Sequence, residues 1–416
     1  MSEVHGKYWM RHFFTVWGGQ AVSLVGSSLV QFALVWWLTV ETRDPLVLLT
    51  SSIVGVLPQI AIVPFAGAMV DRLNRRRVML AADGLTALAT AVLMLLFLAG
   101  AVEVWHVFAV LAVRSTLQGF HWPAMQASTT LMVPEEHLAR IGGLNQSIQG
   151  LSSIIAPPVG AILIAALPMG IVLSIDIVTA AVAMSALVAV RIPEVRKAPD
   201  AIRTSVLKDM WEAIRYLWTW KGALAVVLIF MIANLLITPA FTLLPLYTLE
   251  YFGKGALEYA AMESMAGAGM IAGGALLGIW GGTRRKIVTA MAALSLLGVG
   301  VGVIGMLPPE GYMIAVAACL FIGIMLALVN GTVMAILQKG IRADMQGRVF
   351  AMLGAISTAM IPVGLLAAAP VSVAFGIKPW FLVSGLVLIF VGAASFFAPA
   401  IMRLEDHVAE KVAVEH

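Results

Sequence analysis

Hydrophobic residues run through this chain in long blocks, broken by short polar punctuation. A bilayer crossing needs about 20 mostly apolar residues, and twelve stretches meet that length. They lie near 13–40, 46–70, 78–100, 105–131, 141–167, 169–190, 222–249, 258–280, 287–307, 311–338, 348–373 and 379–402. Several exceed the minimum, which predicts tilt or extension past the lipid. Many carry Gly and Pro, which membrane helices packed on one another tolerate. The pattern predicts an all-helical polytopic membrane protein.

Composition supports the same reading. The chain is 61% hydrophobic and 12% charged, against about 25% charged for a soluble domain. Its basic residues sit in short loops beside the apolar blocks, so the net charge of +4 implies no nucleic-acid partner. Cys319 is the single cysteine, which excludes a disulfide framework and a thiolate metal site. Ser2–Arg11 is polar and the first apolar block is long enough to remain as a span, so no cleavable signal is expected.

The loops alternate in charge. Of the 26 lysines and arginines, 22 fall on the side that would hold both termini, and only Arg43, Lys254 and Lys378 on the other. By the positive-inside rule both termini are expected in the cytoplasm, with the protein in the cell (inner) membrane. The longest polar stretch, 191–221, divides the chain. It is expected to link a six-span bundle (1–190) to a second one (222–402), with 403–416 as a cytoplasmic tail. Within it, DMWEAIRYLWTW reads as an amphipathic helix with Trp211, Leu217 and Trp218 toward lipid.

The halves read as copies. PEEHLARIGGL at 134–144 parallels ADMQGRVFAML at 343–353, setting Arg140 against Arg348, and Pro157 and Pro362 follow 17 and 14 residues later. RRK at 284–286 corresponds to the arginines at 75–77. Duplication at half the chain length is a feature of transporters built from related bundles.

The loop after the second span reads GAMVDRLNRRR, 67–77. Taken alone it is a charged turn. Its G-x3-D-R-x-x-R-R spacing resembles the signature loop of the major facilitator superfamily, between its second and third helices. That resemblance implies twelve helices in two pseudo-symmetric bundles. It also implies a cytoplasmic latch built from Gly67, Asp71, Arg72, Arg75 and Arg76, with Arg140 and Arg348 at the repeat positions. The second copy has Gly281, Gly282 and Thr283 where the Asp would stand, so an asymmetric latch is expected. Asp83, five residues into the third span, is read mainly as structural, pairing with Arg75–Arg77, Arg140 or Arg348.

Ionisable groups within spans cost at least about 2.5–3.5 kcal/mol each and so mark function by default. Arg114 lies deep in the fourth span, with Gln118 and His121 one and two turns on, on one face. It either ties two helices through a carboxylate or lines a central cavity. R-S-x-x-x-G-F-x-x-P-A, Arg114–Ala124, resembles the fourth-span motif of drug–proton antiporters, with Gln118 and Gly119 one residue late. The segment from Phe120 to Ala124 is closer to the macrolide-efflux subgroup. Asp176 in the sixth span is either a static partner for Arg114 or a proton carrier. Glu263 near the start of the eighth span is either a proton carrier or simply solvated.

In the fifth span S-x3-A-P-x-x-G-A (Ser152, Ala156, Pro157, Gly160, Ala161) resembles the antiporter motif G-x3-G-P-x-x-G-G, with small residues replacing three glycines. The resemblance also implies that spans one, four, seven and ten line the cavity, which makes Gln20, Gln31, Asn234 and Asn330 wall candidates. No nucleotide-binding loop, metal-ligand cluster or nucleophile motif is present, so neither an enzyme nor a cofactor is expected. The expected protein is a monomeric exporter of small hydrophobic molecules of macrolide or multidrug type, driven by protons. Alternatives are a dedicated metabolite, siderophore or lipid exporter of the same fold, and a membrane sensor that does not transport.

Overall fold

The computed structural model describes residues 9–70, 73–193, 211–212, 215, 218, 220–341 and 343–405. Twelve long helices account for nearly all of them. The first six are α1 (Trp9–Thr42), α2 (Pro45–Val70), α3 (Arg75–Leu98), α4 (Val104–Met132), α5 (Leu138–Ala166) and α6 (Met169–Ala189). The second six are α7 (Lys221–Leu246), α8 (Ala256–Trp280), α9 (Lys286–Met306), α10 (Tyr312–Gly340), α11 (Ala343–Phe375) and α12 (Lys378–Ser395). Eleven of the twelve are apolar and long enough to cross a membrane on composition alone. The exception is α4, whose apolar run is diluted by His106, Arg114, Gln118 and His121.

Helix ends follow local chemistry. Asn74 caps α3, its Oδ1 accepting from the Arg77 amide at 3.0 Å, which satisfies one of the free amides of the first turn. Gly281 closes α8 with φ +74°, a conformation that a side chain would strain. The expected last span, 379–402, stops earlier than the apolar pattern suggests: α12 ends at Ser395, and Pro399–Met402 forms a separate turn of helix, α13. Pro399 lacks the amide needed to continue α12.

The helices gather into two compact units, Met1–Arg43 with Thr50–Ala201, and Asp44–Leu49 with Ile202–His416. In the first, α1 packs on α5 and α6, and α3 on α4 and α6. In the second, α7 packs on α11, α9 on α10 and α12, and α8 on α10. Adding six to each helix number maps the α1–α5, α3–α4 and α3–α6 pairs of the first unit onto pairs of the second. The duplication seen in sequence is therefore also a duplication of packing.

Buried side chains and glycine contacts occur in both units. One end of the first has a side-chain core of Phe13, Val16, Val70, Met79, Met132, Ile141 and Leu187. The second brings backbones together. A Cβ on Gly323 would lie 2.1 Å from the Ala266 carbonyl oxygen, and one on Gly385 would lie 2.6 Å from the Gly302 Cα. Only glycine permits such approaches, which small residues provide between membrane helices.

The segment expected to be amphipathic is described at a few positions. Trp211 and Trp218 are helical and exposed, at 66% and 68%. Leu217 and most of the 191–221 connection lie outside the described residues.

Candidate functional site

Arg114 stands ten residues after the start of α4, roughly 15 Å along the helix. A guanidinium at that depth cannot reach water easily and must find its partners inside the protein. It finds Asp176 of α6. Arg114 Nη1 donates to Asp176 Oδ2 in a close ion pair. The Asp176 side chain is 1% exposed and that of Arg114 12%.

Two hydroxyls complete the shell. Ser27 of α1 donates to Asp176 Oδ1 at 2.6 Å. Thr90 of α3 lies 2.9 Å from Asp176 Oδ2, and its oxygen accepts from Arg114 Nη1 at 3.0 Å. Three helices thus converge on a carboxylate carried by a fourth. Its neighbour on α6, Thr179, leaves no room on α1: a Cβ at Gly26 would lie 2.2 Å from the Thr179 Oγ1. The carboxylate accepts from three donors, the kind of satisfaction a buried charge requires.

A second polar cluster lies two turns away. Gln20 Nε2 of α1 donates to Asp83 Oδ2 of α3 at 2.9 Å. His121 Nε2 of α4 stands 3.2 Å from Asp83 Oδ1, near enough for an ion pair when protonated but not aligned as a hydrogen bond. Asp83 is therefore not part of an arginine latch as its place near the charged loop suggests. Its helix face turns it into the bundle, toward α1 and α4.

The arginines of that loop have other partners. Arg75 Nη1 donates to the Ala127 carbonyl of α4 at 3.0 Å, and Arg76 Nη2 to the Val188 carbonyl of α6 at 2.6 Å. Arg76 thus sits at the C-terminal end of α6, where the helix dipole favours a cation. Arg140 is exposed. Arg348 pairs with Glu212 at 2.7 Å. Asp71 and Arg72 lie outside the described residues, and of Gly67 only the helical backbone is described.

Among the expected cavity residues, Gln31, Gln118 and Asn330 are exposed. Gln118 does not join Arg114 and His121. At 100° per residue, i+7 falls 20° from Arg114 but i+4 falls 40° away on the other side, and that difference carries Gln118 off the face the other two share. Asn234 donates to the Phe230 carbonyl of its own helix at 3.0 Å. Glu263 of α8 is half-buried, not solvated: the Tyr259 hydroxyl interacts with its carboxyl, and Oε2 is enclosed with no hydrogen-bond partner among the described residues.

The fifth-span motif is a packing face. Ser152, Ala156, Pro157, Gly160 and Ala161 are all buried. A Cβ on Gly160 would lie 2.9 Å from Phe32 Cδ1 and 3.4 Å from the Leu29 carbonyl, so α5 lies directly against α1. A Trp17–Asn145 hydrogen bond of 2.8 Å joins the same two helices.

Sequence reasoning did not single out Ser27, Thr90, Trp17 or Asn145. Hydroxyls in apolar helices usually bond their own backbone, so nothing in their type marks them. Spacing does: Ser27 is seven residues after Gln20, and Thr90 seven after Asp83.

The profile of the Major Facilitator Superfamily matches residues 16–365. Over 397 residues the chain is 32% identical to Macrolide efflux protein A of Streptococcus pyogenes, covering 95% of this chain and 98% of that protein. It is 27% identical over 391 residues to Multidrug efflux pump Tap of Mycolicibacterium fortuitum, covering 91% and 94%. In fold it is similar to a bacterial homologue of iron transporter ferroportin, solved in an inward-facing state. There the TM-score is 0.71 at 13% identity, over 92% of this chain and 98% of that one. It is also similar to the nucleoside transporter NupG, with a TM-score of 0.64 at 14% identity over 90% and 97%. Twelve helices, a duplicated packing plan and the profile match over most of the length agree: the chain belongs to the major facilitator superfamily.

Proposed function

We propose that this protein is a secondary active exporter. It would exchange protons moving inward for small, largely hydrophobic molecules of macrolide or multidrug type moving outward, by alternating access. The observation that carries the proposal is the Asp176–Arg114 pair, buried at mid-helix and held from four helices. The likeness to two efflux proteins supports the substrate class.

The chemistry follows from the pair. A proton arriving on Asp176 removes the charge that holds Arg114. The guanidinium must then find a new acceptor, and the helices carrying Ser27, Thr90 and Arg114 lose their common anchor. Protonation is thereby converted into freedom for α1, α3 and α4 to shift relative to α6. One proton crossing 100 mV supplies about 2.3 kcal/mol from potential alone. Glu263, with its enclosed Oε2, is the second carboxyl offered for proton binding.

The remaining assignments belong to the same proposal. Both termini are cytoplasmic, and the protein works as a monomer in the cell membrane. Gln31, Gln118, Asn234 and Asn330 contact substrate. Asp71 and Arg72 latch the cytoplasmic side.

The test is transport of radiolabelled erythromycin and of ethidium in proteoliposomes under an imposed pH gradient. The wild type accumulates either compound against its gradient, and collapse of the pH gradient stops accumulation. Asp176→Asn abolishes accumulation and keeps binding. Driven transport at the wild-type rate in both Asp176→Asn and Glu263→Gln refutes the carboxyl assignments. Absence of pH-driven movement of any compound in the wild type refutes proton antiport.

A further inference from the structure

The two polar clusters of the first unit share one construction. On α1 the participants are Gln20 and Ser27, on α3 Asp83 and Thr90, and on α4 Arg114 and His121. Each pair is seven residues apart, which is two turns and about 10.5 Å along one helix face. The first rung is Ser27, Thr90 and Arg114 around Asp176. The second is Gln20, Asp83 and His121. α6 contributes only to the first. Seven residues beyond Asp176 it carries Ala183, whose Cα would lie 3.2 Å from a Cβ on Gly19.

We infer that the Asp83–His121 pair is a second proton-binding site of the transport cycle, two turns from Asp176 on the side of the arginines at 75–77. This rests on reading the protein as a proton-coupled exporter. It assigns the proton a path: Asp176 first, then His121, then water at the arginine-bearing end.

The geometry suits a site that gains and loses a proton. Asp83 Oδ2 is fixed by Gln20, which leaves Oδ1 facing His121 Nε2 without an aligned hydrogen bond. Histidine is the side chain that changes charge between about pH 5 and 8. When the O–H bond of protonated Asp176 breaks, water carries the proton on, and a new N–H bond forms at His121 Nε2. The imidazolium then stands against the Asp83 carboxylate, and Asp176 recovers its pairing with Arg114. Loss of the Nε2 proton to water resets the second rung. Each rung alternates between one bound proton and none, and no other co-reactant is needed.

Few other charges face this rung. Asp83 comes from α3, and Gln20 from α1 is neutral. The next groups along the same faces are Arg114 with Asp176 on one side and Arg75, at the Ala127 carbonyl, on the other. Arg76 and Arg77 follow at the start of α3, and Arg11 and His12 at the start of α1. α2 presents Gln59 and Ile62 beside Gly119 and has no charged residue between Pro45 and Val70. The only charged residue of α6 is Asp176, and that of α5 is Arg140, which is exposed.

The experiment compares wild type, His121→Gln and Asp83→Asn in proteoliposomes, with erythromycin as the probe. Two modes are read: accumulation driven by a pH gradient, and exchange of labelled for unlabelled erythromycin with no gradient. Both variants are expected to keep exchange and lose driven accumulation by about tenfold or more. The pH profile of their remaining flux should differ from that of the wild type. Wild-type accumulation and pH profile in Asp83→Asn overturns the inference and leaves the exporter reading intact. If His121→Gln does not fold, Asp83→Asn decides alone, because an amide retains an acceptor oxygen for Gln20. A wild type that exchanges erythromycin but never responds to a pH gradient overturns proton coupling itself, a result distinct from failure of the second site.

Discussion

Replacing Arg114 by Met tests whether the Asp176 pair holds the first unit together. Met fills similar volume and removes the charge. Asp176, at 1% exposure, then keeps only Ser27 and Thr90 as donors. A hydrogen bond to a charged group is worth about 1.5–3 kcal/mol, and removing one member of a buried ion pair costs about 3–5 kcal/mol. Within a bilayer the unfolded reference also finds partners, which favours the lower figures. About 3 kcal/mol is expected. For a cooperative unit of some 200 residues, that lowers the melting midpoint by about 6–12 °C. Asp176→Asn is also destabilising, since it leaves the guanidinium buried without a counter-charge. The double variant, Arg114→Met with Asp176→Asn, has neither uncompensated charge and should melt above Arg114→Met alone. Fluorescence-detected size exclusion of detergent-purified protein after heating reads all four midpoints, and the double-mutant cycle isolates the coupling. If Arg114→Met melts within about 1 °C of wild type, or the double variant falls by the sum of the singles, the pair is not a structural anchor and the reasoning fails.

Two further outcomes follow from packing. Gly323→Val should yield no monodisperse protein, because its Cβ would sit 2.1 Å from the Ala266 carbonyl; Gly354→Ala, with nothing within 4 Å, should behave as wild type by size exclusion. Ser152→Ala should melt at or above wild type, since Ser152 Oγ is buried with no hydrogen-bond partner among the described residues and its loss relieves up to about 1 kcal/mol.

The span count was readable because lipid imposes a length on every crossing, and the fourth stretch proved helical like the rest although it is the least apolar of the twelve. Arg114 and Asp176 were legible as charges within apolar blocks, with the ion pair between them one of two readings for each. Asp83 was misplaced because distance along the chain put it near the arginines, whereas helix phase decides which neighbour it meets. Ser27 and Thr90 were passed over because a hydroxyl in an apolar helix has its own backbone as an alternative partner, and residue type alone does not say which it takes. The seven-residue registers from Gln20 and Asp83 would have found them. The seams of the second unit could not be read at all: Gly298, Gly302 and Gly385 show that a close approach is allowed, but not which helix makes it.

Those seams restrict where an oily compound can come in. Gly323 against Ala266 closes the join of α8 and α10, Gly385 against Gly302 that of α9 and α12, and Gly364 against the Leu235 carbonyl that of α7 and α11. With backbone touching backbone there is no side chain to swing aside as a door. A molecule dissolved among the acyl chains therefore has no sideways entrance through those three joins. If the proposed exporter loads its substrate from the leaflet, it must use other helix borders, and a photoreactive lipophilic probe should label those borders and spare the glycine seams.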